Sequence, residues 1–360
     1  RTAQDWAASR PGWWRRGFEA GVWGELHELQ MALVKGPPEA PGEQVGGLFW
    51  TSHMHHSHPL YANFPLGAVT STVVGLGLWP EADCVAHLFL FLARVLKIAP
   101  PLRAADVGAN VGTVTLLLSM LGFEVDAVEA DGGNAATLRE NVWQVWKEGL
   151  RVPAAGLHRA PCVIRVHEAA ASDEEGRLTL GPVNAQEDAA SYSVTSDRGG
   201  IEARAARLDD LLPIGRGHVP PRLLKLDIEG SEWRALRGAP HLLGVARALC
   251  LEVSAELLAK AGCRSPATLF QAAPGYAHAY LVNGSLVRRP LEIRLLKLRS
   301  SCLRLRSWDA WVGTCATRST SNLVLSKTAL PLGSFPQAPL QFSEDVVIHV
   351  QDDPDGPSPP

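Results

Sequence analysis

The chain has 360 residues, 46% of them hydrophobic and 20% charged, enough to bury one large core or two modest ones. A net charge of −3 excludes a broad basic surface, so nucleic acid is not expected as the main partner. Six cysteines without a C-x-x-C pair give no zinc or dithiol signature, and reduced thiols in a cytoplasmic protein are the expectation.

Residues 1–58 read as a Trp-rich leader punctuated by Pro and Gly. It starts at Arg1, so a fragment or processed chain that has lost any targeting segment is expected. His53, His55, His56 and His58 crowd its end, but no neighbouring Cys or carboxylate completes a ligand set and no metal is expected. A strand or hairpin over Ala68–Trp79 precedes a helix over Glu81–Lys97, with Pro80 near its start and Glu81 and Asp83 in its first turn. That helix is expected to pack on a sheet edge. Charges and Pro80 interrupt the apolar run Leu66–Ile98, and neither half reaches the ~20 residues of a membrane span.

A short buried strand from Leu102 then runs into Asp106-x-Gly108-x-Asn110-x-Gly112, followed by an apolar helix over Thr113–Leu121. Such a turn brings backbone N–H groups and a helix N-terminus against a nucleotide-like ligand. Glu129 ends the next apolar run, roughly 20 residues on, where a doubly wound sheet grips ribose hydroxyls. Asn110 replaces the second glycine of a dinucleotide fingerprint. Asp106 would repel a pyrophosphate but attract a cationic amino-acid tail. Both features favour S-adenosylmethionine (SAM) over a nicotinamide cofactor.

A polar helix over Asn134–Glu148 comes next, with Asn134 and Asn141 as weaker cofactor candidates that could equally cap or face solvent. Further apolar runs, Cys162–His167, Arg222–Leu226 and Ala248–Val253, each close on acidic or small polar residues. Alternation of strands and helices implies βαβ units and one parallel sheet, whose ligands bind beyond the strands' carboxyl ends. The basic run Arg288–Arg306 reads either as an anion-gripping acceptor site or as a solvated face.

The blocks D-V-G-A-N-V-G, V-E-A, N-x-x-x-L-R-E-N, A-x-S-D-E-E-G and L-K-L-D-I-E-G-S-E-W-x-x-L-R-G-A together resemble the FkbM family of SAM-dependent methyltransferases. The likeness spans about residues 60–327 and is strongest between Leu102 and Val253. It implies an α/β, Rossmann-like class I fold: a mostly parallel seven-stranded sheet with helices on both faces and a C-terminal antiparallel hairpin. Ala277–Val282 and Asn322–Ser326 suit that hairpin, with Arg288–Thr320 as an insertion between them.

The implied organisation is a leader (1–58), a methyltransferase domain (59–330) and a Pro-rich tail (331–360). The implied activity is methyl transfer from SAM to a hydroxyl of a small molecule, lipid or glycan. Asp106, Gly108, Asn110, Gly112 and Glu129 would hold the cofactor, and Ser172 and Asp173 would touch adenine. Asp227 and Glu229 would line the transfer site as candidate bases, with crowding against Glu232 raising a carboxyl pKa. A non-catalytic module of the same fold and a nicotinamide-dependent dehydrogenase are the alternatives.

Overall fold

The computed structural model describes residues 47–53, 56–62, 80–147, 163–182, 192–194, 200–212, 214, 219–285, 291–316, 320–331, 333–334 and 346–352. His55, Cys162 and the strand expected over Ala68–Trp79 lie outside them. The first two strands, β1 (Gly47–His53) and β2 (His56–Ala62), pair antiparallel as a hairpin that straddles position 58. Helix α1 (Pro80–Val95) follows.

Then the alternation begins: β3 (Leu102–Val107), α2 (Thr113–Met120), β4 (Phe123–Glu129), α3 (Gly132–Lys147) and β5 (Ile164–Glu168). Four shorter strands, β6 (Ala170–Ser172), β7 (Gly176–Pro182), β8 (Tyr192–Val194) and β9 (Ile201–Arg207), form a separate sheet in the order β6-β9-β7-β8. The main sheet resumes through α4 (Leu208–Leu211), β10 (Leu223–Leu226), α5 (Glu232–Arg237), α6 (Pro240–Val245), β11 (Ala248–Ser254), α7 (Ala255–Lys260) and α8 (Pro266–Gln271). It closes with β12 (His278–Ser285), β13 (Leu291–Lys297), α9 (Trp308–Thr314), β14 (Thr320–Ser326), β15 (Gly333–Ser334) and β16 (Val346–Asp352).

The main sheet runs β15-β16-β13-β12-β14-β11-β10-β3-β4-β5. Strands β5, β4, β3, β10 and β11 are mutually parallel, and β14 pairs antiparallel with both β11 and β12. These seven strands match the expected Rossmann-like sheet, and β12 and β14 are its antiparallel pair. They are not the edge, however. The supposed insertion supplies β13, which pairs with β12, and the tail supplies β16, which pairs with β13.

Pleat alternation divides the core. Ala104, Val125, Leu223, Cys250 and Val324 face α1 and α2, while Ala105, Leu224, Leu226, Leu249, Leu251 and Leu325 face the helices that follow β10 and β11. Helix α1 shares its layer with residues of β10 and β13, so it covers a sheet face rather than an edge, and Phe89 meets Phe123 edge-to-face at 6.4 Å. No described helix is long and apolar enough to cross a membrane.

One expectation about the cysteines fails. Cys302 and Cys315 form a disulfide across the segment that carries α9, with Cα atoms 5.9 Å apart. Cys84, Cys250 and Cys263 are buried and not disulfide-bonded. Twelve residues, α9 among them, separate the bonded pair, and the packing of α9 against the core brings them together.

Candidate active site

A cavity of about 210 Å³ opens beyond the carboxyl ends of β3, β4, β10 and β11. Its floor is the turn after β3. Gly108 (φ +81°) and Asn110 (φ +52°) are both left-handed there, which glycine permits freely and asparagine tolerates. Asn110 Oδ1 accepts from the Val111 amide at 2.7 Å, stabilising that conformation locally. A Cβ on Gly108 would stand 1.8 Å from the Asp227 carbonyl oxygen, so this glycine lets the ends of β3 and β10 close together.

Glu129 ends β4 at the cavity wall. Its Oε2 accepts the Asn110 amide and its Oε1 the Asp131 amide, each at 2.8 Å. Burial pushes the carboxyl up to about 7 against these amide donors, which favour the anion. The Ala130 amide acts on the same carboxylate, so backbone donors fix its orientation at the cavity wall.

On the other side of β3 the cavity is acidic. Carboxylate oxygens of Asp227, Glu229 and Glu252 lie within 4.8 Å of one another, and all three residues line the cavity. Lys225 stands beneath them, its Nζ 3.2 Å from Asp227 Oδ2 and 3.3 Å from Asp106 Oδ1, and donates to the Gly108 carbonyl at 3.3 Å. Burial works to raise the Asp227 carboxyl, but the Lys225 ammonium and a hydrogen bond with Glu252 hold it below the ordinary carboxylate range. Crowding therefore does not make Asp227 a stronger base, because a buried lysine sits beside it. Glu229 occupies a left-handed conformation (φ +51°) at the start of the turn into α5.

Gly108, Asn110, Glu129, Asp227 and Glu229 thus meet at one cavity. Other candidates take different places. Asp106 is fully buried, accepts the Thr115 hydroxyl at 2.6 Å and pairs with Lys225 below the cavity lining. Gly112 (φ +97°) lets Leu138 of α3 pack where its Cβ would be, 2.3 Å away. Ser172 is buried in β6, and Asp173 pairs with Arg237 at 3.4 Å. Ala169, Ala170 and Ala171 line the cavity in their stead, opposite Leu178 and Leu180 of the small sheet. Asn134 lines the cavity while its amide caps onto Asp131, and buried Asn141 donates to the Val111 carbonyl at 2.7 Å, tying α3 to the glycine turn.

Lys225 and Glu252 were not singled out from sequence, although a signal existed. Each is ionisable within an otherwise apolar strand, and such a residue must find a partner. Among the histidines, His53, His56 and His58 lie on the β1–β2 hairpin.

Glu232 is 1% exposed, and its Oε1 accepts the Ile228 and Gly230 amides at 3.0 and 3.3 Å. Burial raises its pKa to about 8 from 4.5, Asp227's charge adds to the rise, and those amides oppose it. Between these values the folded chain holds a proton that the unfolded chain lacks, so stability falls as pH climbs through the window. Glu232 alone should contribute a loss on the order of 4 kcal/mol to urea unfolding between pH 5 and pH 9, and Glu129, raised to about 7, adds to the lower part of that range. Glu232→Gln, which keeps the amide acceptor, should remove the slope above about pH 7 and leave part of it below; an unchanged slope above pH 7 would place the responsible group elsewhere.

Residues 106–260 match the model of the family described as the methyltransferase FkbM domain. No curated protein matches the chain. Among solved structures, WbdD aligns at 12% identity and a TM-score of 0.37, over 71% of this chain and 44% of that one. The SAM-dependent methyltransferase from Agrobacterium tumefaciens aligns at 14% identity and 0.34, over 82% and 73%. Magnesium protoporphyrin IX methyltransferase from Synechocystis, with bound S-adenosylhomocysteine (SAH), aligns at 11% and 0.32, over 69% and 84%. The chain spans less than half the length of WbdD.

Proposed function

Since the chain carries a methyltransferase FkbM domain over residues 106–260, whose cofactor is SAM, we propose that it methylates a hydroxyl oxygen of a small molecule, lipid or glycan in the cavity above β3. The observation that carries this reading is the division of that cavity into two chemically different ends. Glu129 offers paired acceptors suited to ribose on the β4 side. Asp227, Glu229 and Glu252 offer negative charge on the β10 and β11 side, two to three strands or roughly 10–15 Å away.

SAM supplies a methyl group on a cationic sulfur. The chain's residues supply the rest. The Gly108–Asn110 backbone admits a ligand close to the end of β3, and the apolar wall of Ala171, Leu178 and Leu180 suits a flat base. The carboxylates draw the cationic portion toward β10 and can accept the acceptor's hydroxyl proton. Orientation of an acceptor oxygen about 3 Å from the methyl carbon would account for much of the rate.

Titration calorimetry of the purified chain should show binding of SAM and SAH and none of nicotinamide dinucleotide. Glu129→Ala should weaken both cofactor forms at least tenfold, by loss of charge-assisted bonds worth about 1.5–3 kcal/mol. Wild-type affinity should also rise with pH through about 7, as the Glu129 carboxyl ionises. Undiminished SAM affinity in a folded Glu129→Ala protein would refute the ribose role.

A further inference from the structure

We propose that Asn283 carries an N-linked glycan, added as the chain folds in an oxidising lumen, a modification that stands apart from the methyl-transfer reading. Two observations of different kinds carry it, one in the sequence and one in the cysteines. The first is Asn283-Gly284-Ser285, the one Asn-x-Ser/Thr triplet in the 360 residues. Such a triplet is the acceptor for oligosaccharide transfer to an asparagine amide when its middle residue is not proline. Its place in the fold suits a bulky addition. Strand β12 pairs with β14 only as far as Val282, and beyond that point Asn283, Gly284 and Ser285 pair with β13 alone. The triplet therefore sits where the sheet runs out, and Arg294, opposite Asn283 in the ladder, is exposed. Val282 shares its row with Asn322 and Glu252. Position 283 thus stands at the cavity's end of the sheet, two strands or roughly 10 Å from the row of Glu252.

The second observation is the disulfide. Cys302 and Cys315 are 1% and 9% exposed, so their bond is enclosed by the fold. A bond so enclosed closes while the chain is folding, and an oxidant must be present at that stage. Structural disulfides belong to lumenal and extracellular proteins, because cytosolic thiol pools keep cysteines reduced. The other described cysteines fit the same surroundings. Cys84, Cys250 and Cys263 are all buried, so none offers a thiol to an oxidising solvent. Asparagine glycosylation takes place in that kind of compartment, so bond and triplet point to one history.

In the glycan transfer the Asn283 amide nitrogen attacks the anomeric carbon of an oligosaccharide carried on a polyprenyl pyrophosphate. The nitrogen–carbon bond forms and the amide gives up one proton. The carbon–oxygen bond to pyrophosphate breaks, and its electron pair leaves on the lipid pyrophosphate. In the oxidation, the two thiols lose two electrons and two protons to a protein disulfide, which is reduced to a dithiol.

The test uses the whole chain isolated from the cells that make it, with thiols alkylated at lysis and no reductant added. Peptide mapping by mass spectrometry should find Cys302 and Cys315 joined and unalkylated. Peptide N-glycosidase should convert Asn283 to Asp, with a mass loss equal to one oligosaccharide. In the same cells Asn283→Gln and Ser285→Ala should both abolish that loss, whereas Ser285→Thr, which keeps the hydroxyl, should retain it. Far-UV circular dichroism matching the wild type certifies that the three variants are folded. An unmodified Asn283 in the isolated chain, or a mass loss that survives Asn283→Gln, would overturn the proposal. Alkylated Cys302 and Cys315 would overturn it too, because the chain would then have folded in a reducing compartment.

Discussion

Gly108→Ala should unfold the domain or cost it at least about 3 kcal/mol, because two penalties coincide at this position. The backbone is left-handed (φ +81°), and the new methyl group would lie 1.8 Å from the Asp227 carbonyl oxygen and 2.8 Å from its carbon. Neither atom belongs to a flexible side chain, so relief requires β3 and β10 to separate at the floor of the cavity. Gly122 supplies the control. It is also left-handed (φ +93°), but nothing lies within 4 Å of its would-be Cβ. Gly122→Ala should therefore cost only the backbone term, roughly 1–2 kcal/mol. Chemical denaturation of the two variants separates conformation from collision. Equal losses would mean that the β3–β10 approach is looser than it stands in the structure.

Lys225→Met should be nearly as damaging, at about 3–5 kcal/mol, although it replaces a charge by an apolar chain of similar length inside a strand. Lys225 is 5% exposed and serves two carboxylates, one of them the fully buried Asp106. Without the ammonium, Asp106 keeps only the Thr115 hydroxyl among its hydrogen-bonding partners given above, and one of the two acids must take up a proton to stay folded. The variant should accordingly regain stability as pH falls, whereas a simple packing defect would not. Asp106→Asn placed on top of Lys225→Met should restore part of the loss, since it removes one stranded charge. A double variant no more stable than Lys225→Met alone would show that the cost lies in packing rather than in charge.

The parallel half of the sheet was legible because strands covered on both faces read as largely apolar runs, and β3, β4, β10 and β11 are such runs despite the charged residues they carry. Glu129 was found for the same reason, as the polar residue that closes β4. The extension of the sheet was harder to see. In β13, Ile293 and Leu295 are buried while Arg294 is exposed, a period of two, yet the density of Arg and Lys suggested an acceptor site or a solvated face within an insertion. The small sheet was obscured by its composition. Strand β9 buries alanines, Ala203, Ala205 and Ala206, which carry little strand signal. That omission put Ser172 and Asp173 forward where Ala169, Ala170 and Ala171 line the cavity. The third apolar run was followed as far as Ser172 and Asp173, whereas β5 stops at Glu168 and the chain then enters another sheet. The sequence argument expected one carboxyl among Asp227, Glu229 and Glu232 to be raised, and that carboxyl is Glu232; nothing local to Asp227 announces that Lys225 holds its own carboxyl down.

Ser172 and Asp173 have a mechanical part in the molecule. A Cβ on Gly238, just past α5, would stand 1.9 Å from the Ser172 carbonyl oxygen, so helix end and β6 touch backbone to backbone. The Arg237–Asp173 pair closes over the same junction. Strand β6 begins beside the alanines of the cavity's apolar wall, and α5 opens with Glu232, whose carboxyl holds the loop bearing Asp227 and Glu229. The apolar wall of the cavity and the loop bearing Asp227 and Glu229 are thus braced against each other through one junction of backbone and ion pair.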